Sequence, residues 1–524
     1  MRIFVGRFVT LERERPEVEA IAVDGEMVVG TGGFRSMRGA AGARAEVIEV
    51  PGVSVPGLVD AHIHVEWLGE ALGQLDLRHL DRDEIIAAVA ARAVTLPAGS
   101  WVRGSGWDES FFEPAAFPTA TDLDGATSRH PVLLTRIDHH AVWANSSALA
   151  AAGIDASTGD PSAGRFVRDT AGGPNGVAID GAMAPLLAAI PPATEQSRKE
   201  RIHLALSRCA AWGLTTVHDA GIDADALDLY YRLGREGPLP TRVYAMATAP
   251  GDLAQDLVEN GPRATKHQIT LRTIKLFRDG ALGSRGARLT APYHDSPGHL
   301  GIDLIESGEL MEWVLKAAER GIQVATHAIG DFAIRDVLDA YETASDAARA
   351  LRFRVEHASV LDPRDLLRFA DLGVVASIQP VFISEYARWA ADRVGPARLP
   401  WVSATKDLLA TGAPIAAGSD FPASVSGDPR ATLYAMVARR GPDEEPSGGW
   451  QPHQAIDRMA ALRLMTWGPA YASFTERTAG ALGPGRVADF TAFATDLRAG
   501  PPEQLLDLPV SMTVVGGGIR YRAS

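Results

Sequence analysis

Two histidines lie two residues apart at the end of the apolar segment PGLVDAHIHV. Alternate side chains of a β-strand point to the same face, so His62 and His64 would point together if this segment is a strand. Neutral imidazoles are common ligands of transition metals, and two adjacent ones form a natural chelating pair. The spacing therefore indicates a metal site, although a His-x-His tripeptide alone also arises by chance in many chains.

Three more potential ligands follow apolar, β-branched segments. His327 ends IQVATH, His357 ends RFRVEH and Asp420 ends APIAAGSD. A buried core histidine or a helix-capping aspartate would explain any one of them alone, but their shared position favours one common site. Imidazole nitrogens with one carboxylate suit zinc or a similar divalent ion that keeps an open position for water.

Lys275, which ends LRTIK, occupies the same position in its own segment. Its ammonium group has no lone pair for a metal ion and would be repelled by one. The simpler interpretation is a structural lysine in a salt bridge. The alternative is that CO2 carbamylates the amine, which converts the cation into a carboxylate able to bridge two metal ions.

These residues belong to a pattern in which short β-branched segments alternate with amphipathic helical stretches, which is typical of βα units and a parallel sheet. Eight strand segments are predicted: GLVDAHI, GLTTVHD, TRVYAMA, LRTIKLF, GIQVATH, RFRVEHA, GVVASIQ and APIAAGSD. Eight strands with crossing helices favour an α/β fold of the (β/α)8 barrel type, whose active sites lie at the C-terminal ends of the strands. An open doubly wound sheet is the competing architecture, but no GxGxxG or P-loop motif follows these segments.

The two chain ends also have β-strand patterns. Residues 1–55 contain RIFVGRFVT and a second apolar run in which Asp24-Gly25 predicts a hairpin, and residues 478–524 contain ADFTAFA and PVSMTVV. Each end is too short for a core of its own. We therefore expect the two ends to pair into one small β-sandwich beside a barrel of residues 56–477.

A long interval interrupts the alternation after the first barrel strand. Roughly 145 residues separate that strand from the second one, far more than an ordinary βα connection needs. The interval is rich in tryptophan, phenylalanine and glycine, as in WVRGSGWDESFFE. We predict that residues 66–205 contain an inserted subdomain that covers one mouth of the barrel.

Composition and charge argue against several classes of protein. Of the 524 residues, 46% are hydrophobic and 22% are charged, and the net charge of −14 disfavours a nucleic-acid binder, which needs a basic surface. There is no apolar run of about 18 residues that would predict a membrane span. The single cysteine, Cys209, lies in a helical pattern and is expected to be structural, which suits a reducing cytoplasm. We therefore expect a cytoplasmic protein, for which a homodimer stays an open alternative.

The set of strand-end residues resembles the metal-dependent amidohydrolase superfamily. More narrowly, the sequence is similar to the amidohydrolase-3 branch, the YtcJ-like proteins that include N-substituted formamide deformylases. The resemblance extends from about residue 55 to residue 490. It is carried by the segments PGLVDAHIHV, GSGWDES, TRIDHHAVWANSSAL, GLTTVHDAG, IKLFRDGALGSR, THAIGD, VEHAS, GSDFP and AGALGPGRVADF.

The resemblance implies a (β/α)8 barrel with a small β-sandwich built from both chain ends. It also implies one or two divalent ions, most readily Zn²⁺, with Lys275 carbamylated and bridging. The complete ligand set that it implies is His62, His64, Lys275, His327, His357 and Asp420.

The expected reaction is hydrolysis of a C–N bond in an amide-like small molecule, such as an N-substituted formamide. Water activated by the metal would attack the carbonyl carbon, with Asp420 as the general base and His327 as a second catalytic group. Substrate contacts are expected from Trp107, His140 and Asp279, and from Arg285, although a surface position explains the arginine equally well. An esterase, lactonase or cyclic-amide hydrolase of the same superfamily is the nearer alternative, and a non-catalytic binding protein is the more distant one.

Overall fold

The computed structural model describes residues 1–42, 44–78, 80–136, 141–161, 164–266 and 268–524. Contacts between residues divide this chain into two units: unit 1 comprises Met1–Leu68 and Ile202–Ser524, and unit 2 comprises Gly69–Arg201. In these ranges no helix is both long enough and apolar enough to cross a membrane.

Among the described residues of unit 1, eight parallel strands lie in chain order in one sheet. Each corresponds to one of the eight predicted segments, so the predicted (β/α)8 architecture is confirmed. A short strand, Arg263–Ala264, pairs antiparallel with the fourth of them. In order, the strands are Leu58–Ile63, Leu214–Ile222, Arg242–Thr248, Ile269–Phe277, Gln323–Ala328, Arg354–His357, Val375–Ile378 and Ile415–Ala417.

The first and eighth barrel strands are joined by the residues at their ends. The backbone N–H of Asp420 donates to the carbonyl of His62 at 2.6 Å. The carboxylate of Asp60, in the first strand, accepts from the backbone N–H of Ser419 at 2.9 Å and from its hydroxyl at 2.6 Å. These bonds nearly close the barrel and hold His62 beside Asp420.

Helices connect the barrel strands and bury one face each. In Asp331–Glu342, the side chains of Ile334, Val337, Leu338 and Tyr341 recur at three- and four-residue spacing and are buried. The described helices that lie wholly or partly in unit 1 are Phe34–Ala41, Val65–Leu72, Glu195–Ala211, Ala224–Glu236, Asp252–Asn260, Ser307–Glu319, Asp331–Glu342, Ser345–Ala350, Leu366–Leu372, Ile383–Arg398, Thr405–Ala410, Pro429–Ala438, Arg458–Leu464 and Trp467–Ala472.

Both chain ends contribute to a second sheet of unit 1, as predicted. Antiparallel pairing of Thr491 with Val55 joins the two ends, and the rings of Phe4 and Phe8 pack edge-on against Phe490 at 5.1 and 5.4 Å. In spatial order, the strands described in this sheet are Gly518–Arg522, Val510–Val515, Phe490–Phe493, Glu46–Pro56, Arg2–Val9, Glu17–Asp24 and Met27–Gly32. The last two form the predicted hairpin, with Gly25 at φ +58° in its turn.

Unit 2 lies within the predicted insertion and has a sheet and a core of its own. The core centres on Trp107, whose ring lies 6.1 Å from that of Trp143 and 6.4 Å from that of Phe112. The described strands are Leu75–Asp76, Val102–Trp107, Val132–Arg136, Ala141–Ala144, Gly164–Arg168 and Pro174–Asp180, and the helices are Arg82–Thr95, Ala120–Asp124, Ser146–Ala151 and Ala184–Ala188. The covering role of residues 66–205 stays a prediction.

Candidate metal centre

The predicted metal ligands all lie at the C-terminal mouth of the barrel and line one cavity of about 520 Å³ in unit 1. Parallel strands bring their carboxyl ends to the same edge, which explains why residues far apart in the chain converge here. The converging residues are His62, His64, Lys275, His327, His357 and Asp420.

A buried carboxylate orients the imidazole of His62. Its Nδ1 lies 2.6 Å from Oε2 of Glu356, and neither side chain is more than 1% exposed. A carboxylate beside Nδ1 keeps the ring proton there, which leaves the lone pair of Nε2 free for a metal ion. Burial and Lys275 lower the pKa of His62, but the carboxylates of Asp420 and Glu356 outweigh them and raise it.

The Asp420 carboxylate lies among the imidazoles. Its Oδ1 is 3.1 Å from Nε2 of His64 and 3.4 Å from Nε2 of His62, and its Oδ2 is 3.9 Å from Nδ1 of His357. Burial alone would raise the pKa of Asp420, but the neighbouring histidines hold it well below its usual value, so the group is an anion. Its backbone φ of +60° is in the left-handed region, a strained geometry that often marks functional residues.

His327 and His357 form the other side of the cluster, with ring centroids 4.3 Å apart. Burial lowers the pKa of both imidazoles, that of His357 to about 3, so both rings are neutral and keep a lone pair. A ligand atom of His62, one of His357 and one of Asp420 lie within 4.8 Å of one another. Two ligands that each lie about 2.0–2.2 Å from one ion are at most about 4.4 Å apart, so these three atoms are near the separations that a shared ion requires.

Lys275 is fully buried beside these groups. Its Nζ lies 4.5 Å from the centroid of the Phe277 ring, and among the described residues it has neither a hydrogen bond nor an ion pair. Burial lowers the pKa of Lys275 to about 8, although Glu356 and Asp420 act against that shift. The described residues therefore do not hold Lys275 in a structural salt bridge.

The site fits a divalent metal ion. In the part of the chain that the structure describes, Nε2 of His62, Nζ of Lys275, Nε2 of His327 and Nδ1 of His357 are buried without a hydrogen-bond partner. A buried polar group left unpaired costs about 1–3 kcal/mol, so folded chains rarely tolerate several in one place. Imidazole nitrogens directed at one region beside an anionic carboxylate are the donor set that zinc takes.

The sequence reasoning missed two charged residues that support the site. Arg354 and Glu356 are fully buried and bonded to each other, with Arg354 Nε donating to Glu356 Oε1 at 2.7 Å. The guanidinium also donates to the carbonyl of Ala61 at 2.8 Å and to Oγ of Ser377 at 3.0 Å, so it ties three barrel strands together. The signal was present in RFRVEH, because two charged residues at i and i+2 of a buried strand share a face and need partners.

A break in strand alternation places the side chain of His357 on the same side of the strand as Glu356, which is bonded to Arg354 and His62. Regular alternation would direct Glu356 and His357 to opposite faces of the strand. His357 has φ +74°, outside the strand region, and its ring turns to within 5.0 Å of the His62 ring. Sequence alone gave no sign of this turn.

Of the predicted substrate contacts, Asp279 lines the cavity. Its carboxylate accepts from the backbone N–H groups of Ile329 at 3.0 Å, Gly330 at 2.9 Å and Arg288 at 2.8 Å. Burial raises the pKa of Asp279 to about 7 against these bonds. The carboxylate also lies 3.5 Å from Nε2 of His327, so the backbone that it holds is beside that imidazole.

The other predicted substrate residues are placed elsewhere or lie outside the described chain. Arg285 is ion-paired with Asp295 at 2.9 Å and is not among the described residues that line the cavity. Trp107 is buried in the core of unit 2, where its Nε1 donates to the carbonyl of Leu134 at 2.9 Å. His140 lies outside the described residues. Substrate contact by these three residues stays a prediction.

A parallel barrel with convergent imidazoles at its C-terminal mouth has a candidate metal centre at the position where barrel enzymes hold their active sites. The chain belongs to the amidohydrolase family, whose model matches residues 52–521. It is 33% identical to the putative amidohydrolase YtcJ of Bacillus subtilis (strain 168), over 100% of this chain and 99% of the relative. It is 28% identical to the N-substituted formamide deformylase of Arthrobacter pascens, over 98% and 96% of the two chains.

The fold comparison agrees with the family. A crystal structure of an uncharacterized metal-dependent hydrolase from Pyrococcus horikoshii OT3 superposes with a TM-score of 0.79 at 27% identity, covering 96% of this chain and 99% of the other. The predicted resemblance to the YtcJ-like branch is confirmed, and the chain is a metal-dependent hydrolase that acts on C–N bonds.

Proposed function

We propose that this chain hydrolyses an amide bond of a small, largely apolar molecule, with N-substituted formamides as the first substrates to test. The observation that carries the proposal is the group of unpartnered imidazole nitrogens beside Asp420 in one cavity. Apolar and aromatic side chains form much of the cavity wall, among them Trp67, Phe277 and Trp389. The similarity to an N-substituted formamide deformylase supports this substrate class.

The metal in this proposal is zinc, bound as one or two ions. The ligands would be His62, His64, Lys275, His327, His357 and Asp420. When bound, zinc provides a nucleophile derived from water at neutral pH and polarises the substrate carbonyl.

Asp420 is proposed as the general base. Its carboxylate takes a proton from the attacking water and delivers it to the nitrogen of the breaking C–N bond, so that an amide and water give a carboxylic acid and an amine. His327 lines the same cavity. If only one ion is bound and His327 is not among its ligands, a protonated ring nitrogen of His327 donates a hydrogen bond to the carbonyl oxygen, which gains negative charge as water adds. The Glu356 carboxylate keeps the proton of His62 on Nδ1, away from the reacting groups.

Lys275 is proposed to carry a carbamate, formed when its neutral amine adds CO2 and releases a proton. Two observations support this: the amine is buried among the ligands, and it has no partner in the described residues. A pKa near 8 leaves roughly a tenth of the amine neutral at pH 7, against less than one part in a thousand at the reference value near 10.4.

The test of the base uses Asp420→Asn, which keeps the size of the side chain and removes its basicity. At matched zinc content we expect kcat for N-benzylformamide to fall by roughly 10²–10⁴. Asp489→Asn is the control, because Asp489 is a buried carboxylate bonded to Arg242, a residue that begins its barrel strand at the end opposite the mouth. Turnover of Asp420→Asn near that of the control would assign the proton transfer to another group.

The test of the reaction class uses matched pairs of amides and esters with the same acyl and leaving groups. An ester lacks a nitrogen to be protonated, so we expect Asp420→Asn to lose more activity towards amides than towards esters. The wild-type turnover rates are corrected for the intrinsic reactivity of each compound. If every ester is then turned over faster than its paired amide, the result favours the esterase alternative.

The test of the carbamate uses apoprotein reconstituted with zinc in the presence or absence of ¹³C-bicarbonate. We expect a carbamate carbon signal in the NMR spectrum, activity that depends on bicarbonate, and loss of both in Lys275→Ala. Lys316→Ala removes an exposed helical lysine and serves as the control. Short carboxylic acids should partly restore Lys275→Ala, and full activity in bicarbonate-free protein would refute the modification.

A further inference from the structure

One face of a single helix forms part of the cavity wall. The helix Ile383–Arg398 and the residue before it place Phe382, Glu385, Tyr386 and Trp389 at spacings of three and four, and all four line the cavity. The rings are packed together: Phe382 stacks on Tyr386 at 5.8 Å, and Tyr386 meets Trp389 edge-on at 5.4 Å. Three aromatic rings and one carboxylate therefore line the cavity from the same part of this helix.

That carboxylate, Glu385, is half-buried and has no hydrogen bond or ion pair to any residue that the structure describes. The nearest arginine on its own helix, Arg388, is 67% exposed and is paired with Asp443 at 2.8 Å. Burial raises the pKa of Glu385, Arg388 acts against that shift, and the negative charge of Asp420 adds to it. A donor or a cation that bound beside Glu385 would stabilise its charged form.

The other charged groups of the cavity already have partners or belong to the metal centre. Asp279 accepts three backbone N–H groups, and Asp420 lies among histidines. Among the described lining residues the only cationic side chain is Lys275, in the metal centre, and no arginine is present. A substrate carboxylate would therefore be repelled by Glu385, and no arginine of the cavity would pair with it. A substrate cation would instead be attracted by the unpaired carboxylate of Glu385.

We propose that Glu385, with Phe382, Tyr386 and Trp389, forms a subsite for a protonated amine on the substrate, beside the metal centre. The inference rests on the proposed function, because it assumes that this cavity holds the amide. Aromatic faces attract cations, and they do so more strongly when water is excluded. This subsite narrows the proposed substrates to amides whose larger substituent bears an ammonium group. Amides with a free carboxylate at that position are disfavoured.

The first experiment measures binding without catalysis. Benzyltrimethylammonium is the cationic probe, and neopentylbenzene, in which carbon replaces the nitrogen, is the uncharged comparison, because neither has an N–H group or a lone pair to bind zinc. Titration of the zinc-loaded enzyme, followed by calorimetry and by tryptophan fluorescence, should show the cation binding at least 10-fold more tightly than the uncharged probe. In Glu385→Gln this ratio should fall at least 5-fold, with metal content and circular dichroism unchanged; any remaining preference is that of the aromatic rings. Glu342→Gln, an exposed helical glutamate paired with Arg368, should keep the ratio.

The second experiment compares formamides with an aminoalkyl, a methyl-terminated or a carboxyalkyl tail of equal length. We expect kcat/KM for the amine to exceed that for the methyl compound at least 10-fold, with the carboxylate the poorest substrate. The ratio of kcat/KM for the amine to that for the methyl compound should fall at least 5-fold in Glu385→Gln, and this ratio does not depend on the overall activity of the variant.

The outcomes separate the two proposals. Equal binding of the cation and the uncharged probe, or a preference of unchanged size in Glu385→Gln, would overturn the subsite. Equal turnover of the three formamides would also overturn it, while leaving the proposed hydrolysis standing. Cation binding that depends on Glu385, without turnover of any amide, would support the subsite as a cation site and refute the proposed reaction.

Discussion

Replacement of Glu356 by glutamine should expose how the buried ion pair controls the metal centre. Glu356 accepts three hydrogen bonds: Oε1 accepts from Arg354 Nε at 2.7 Å, and Oε2 accepts from His62 Nδ1 at 2.6 Å and from Arg354 Nη2 at 3.2 Å. Glutamine has one carbonyl oxygen and one NH2 group, so only one of the two carboxylate oxygens keeps an acceptor in its place.

Each orientation of the glutamine amide has its own cost. If the carbonyl stays on Arg354, the NH2 group faces Nδ1 of His62, whose proton must then move to Nε2, the atom a metal needs. If the amide is reversed, its NH2 group faces the guanidinium, donor against donor. In either orientation a buried arginine loses its counter-charge, and breaking such a pair costs about 3–5 kcal/mol of stability. Loss of a group that orients a histidine ligand usually lowers metal affinity by about 10–100-fold.

Two assays separate these effects. Competition with a chromophoric chelator gives zinc affinity, and urea unfolding of the metal-free protein gives the free energy of unfolding. The matched control is Glu476→Gln, because Glu476 pairs with Arg352 through two 2.8 Å hydrogen bonds in a more exposed position, and Arg352 lies two residues before the same barrel strand. We expect the control to lose at most about 1 kcal/mol and to bind zinc normally. Zinc affinity in Glu356→Gln equal to that of the control would refute the argument.

Three further predictions follow from the described contacts. The double variant His62→Ala/His64→Ala should lose most of its bound metal by elemental analysis, whereas His453→Ala, which removes an exposed histidine, should keep it; full metal in the double variant would refute the site. Phe490→Ala should lower the free energy of unfolding in urea by about 3–5 kcal/mol, because this ring is fully buried between Phe4 and Phe8; a loss below about 1 kcal/mol would mean that the two chain ends share no common core. Trp107→Phe should cost about 1–3 kcal/mol, since the carbonyl of Leu134 loses its donor; altered substrate range without destabilisation would instead support substrate contact by Trp107.

The barrel was predictable because its strands are buried along nearly their whole length. A strand such as Val375–Ile378 has to be continuously apolar, and such segments recur between helical patterns. Parallel topology then fixes which strand ends meet, so the positions of His62 and His327 followed from the pattern without coordinates.

The supporting groups were harder to predict because they depend on three-dimensional partners. Arg354 and Glu356 could have been noticed as charges in a buried strand, but nothing in the sequence links Glu356 to a histidine 294 positions away. Glu385 carries no local signal at all, because a glutamate on an amphipathic helix is ordinarily a solvated residue. Only the packing of its helix against the cavity distinguishes it from the exposed Glu342.

The pairing of the two chain ends has a consequence for synthesis on the ribosome. The strand Glu46–Pro56 is made early, but its antiparallel partner Phe490–Phe493 follows about 430 residues later. At roughly 5–20 residues per second, that interval lasts about 20–90 s. If the early strands fold before the rest of the chain, Glu46–Pro56 has one edge without its partner throughout this interval, and such an edge can recruit other chains. The small sheet can therefore be completed only if this edge of Glu46–Pro56 is kept from pairing with other chains until the whole barrel has been translated.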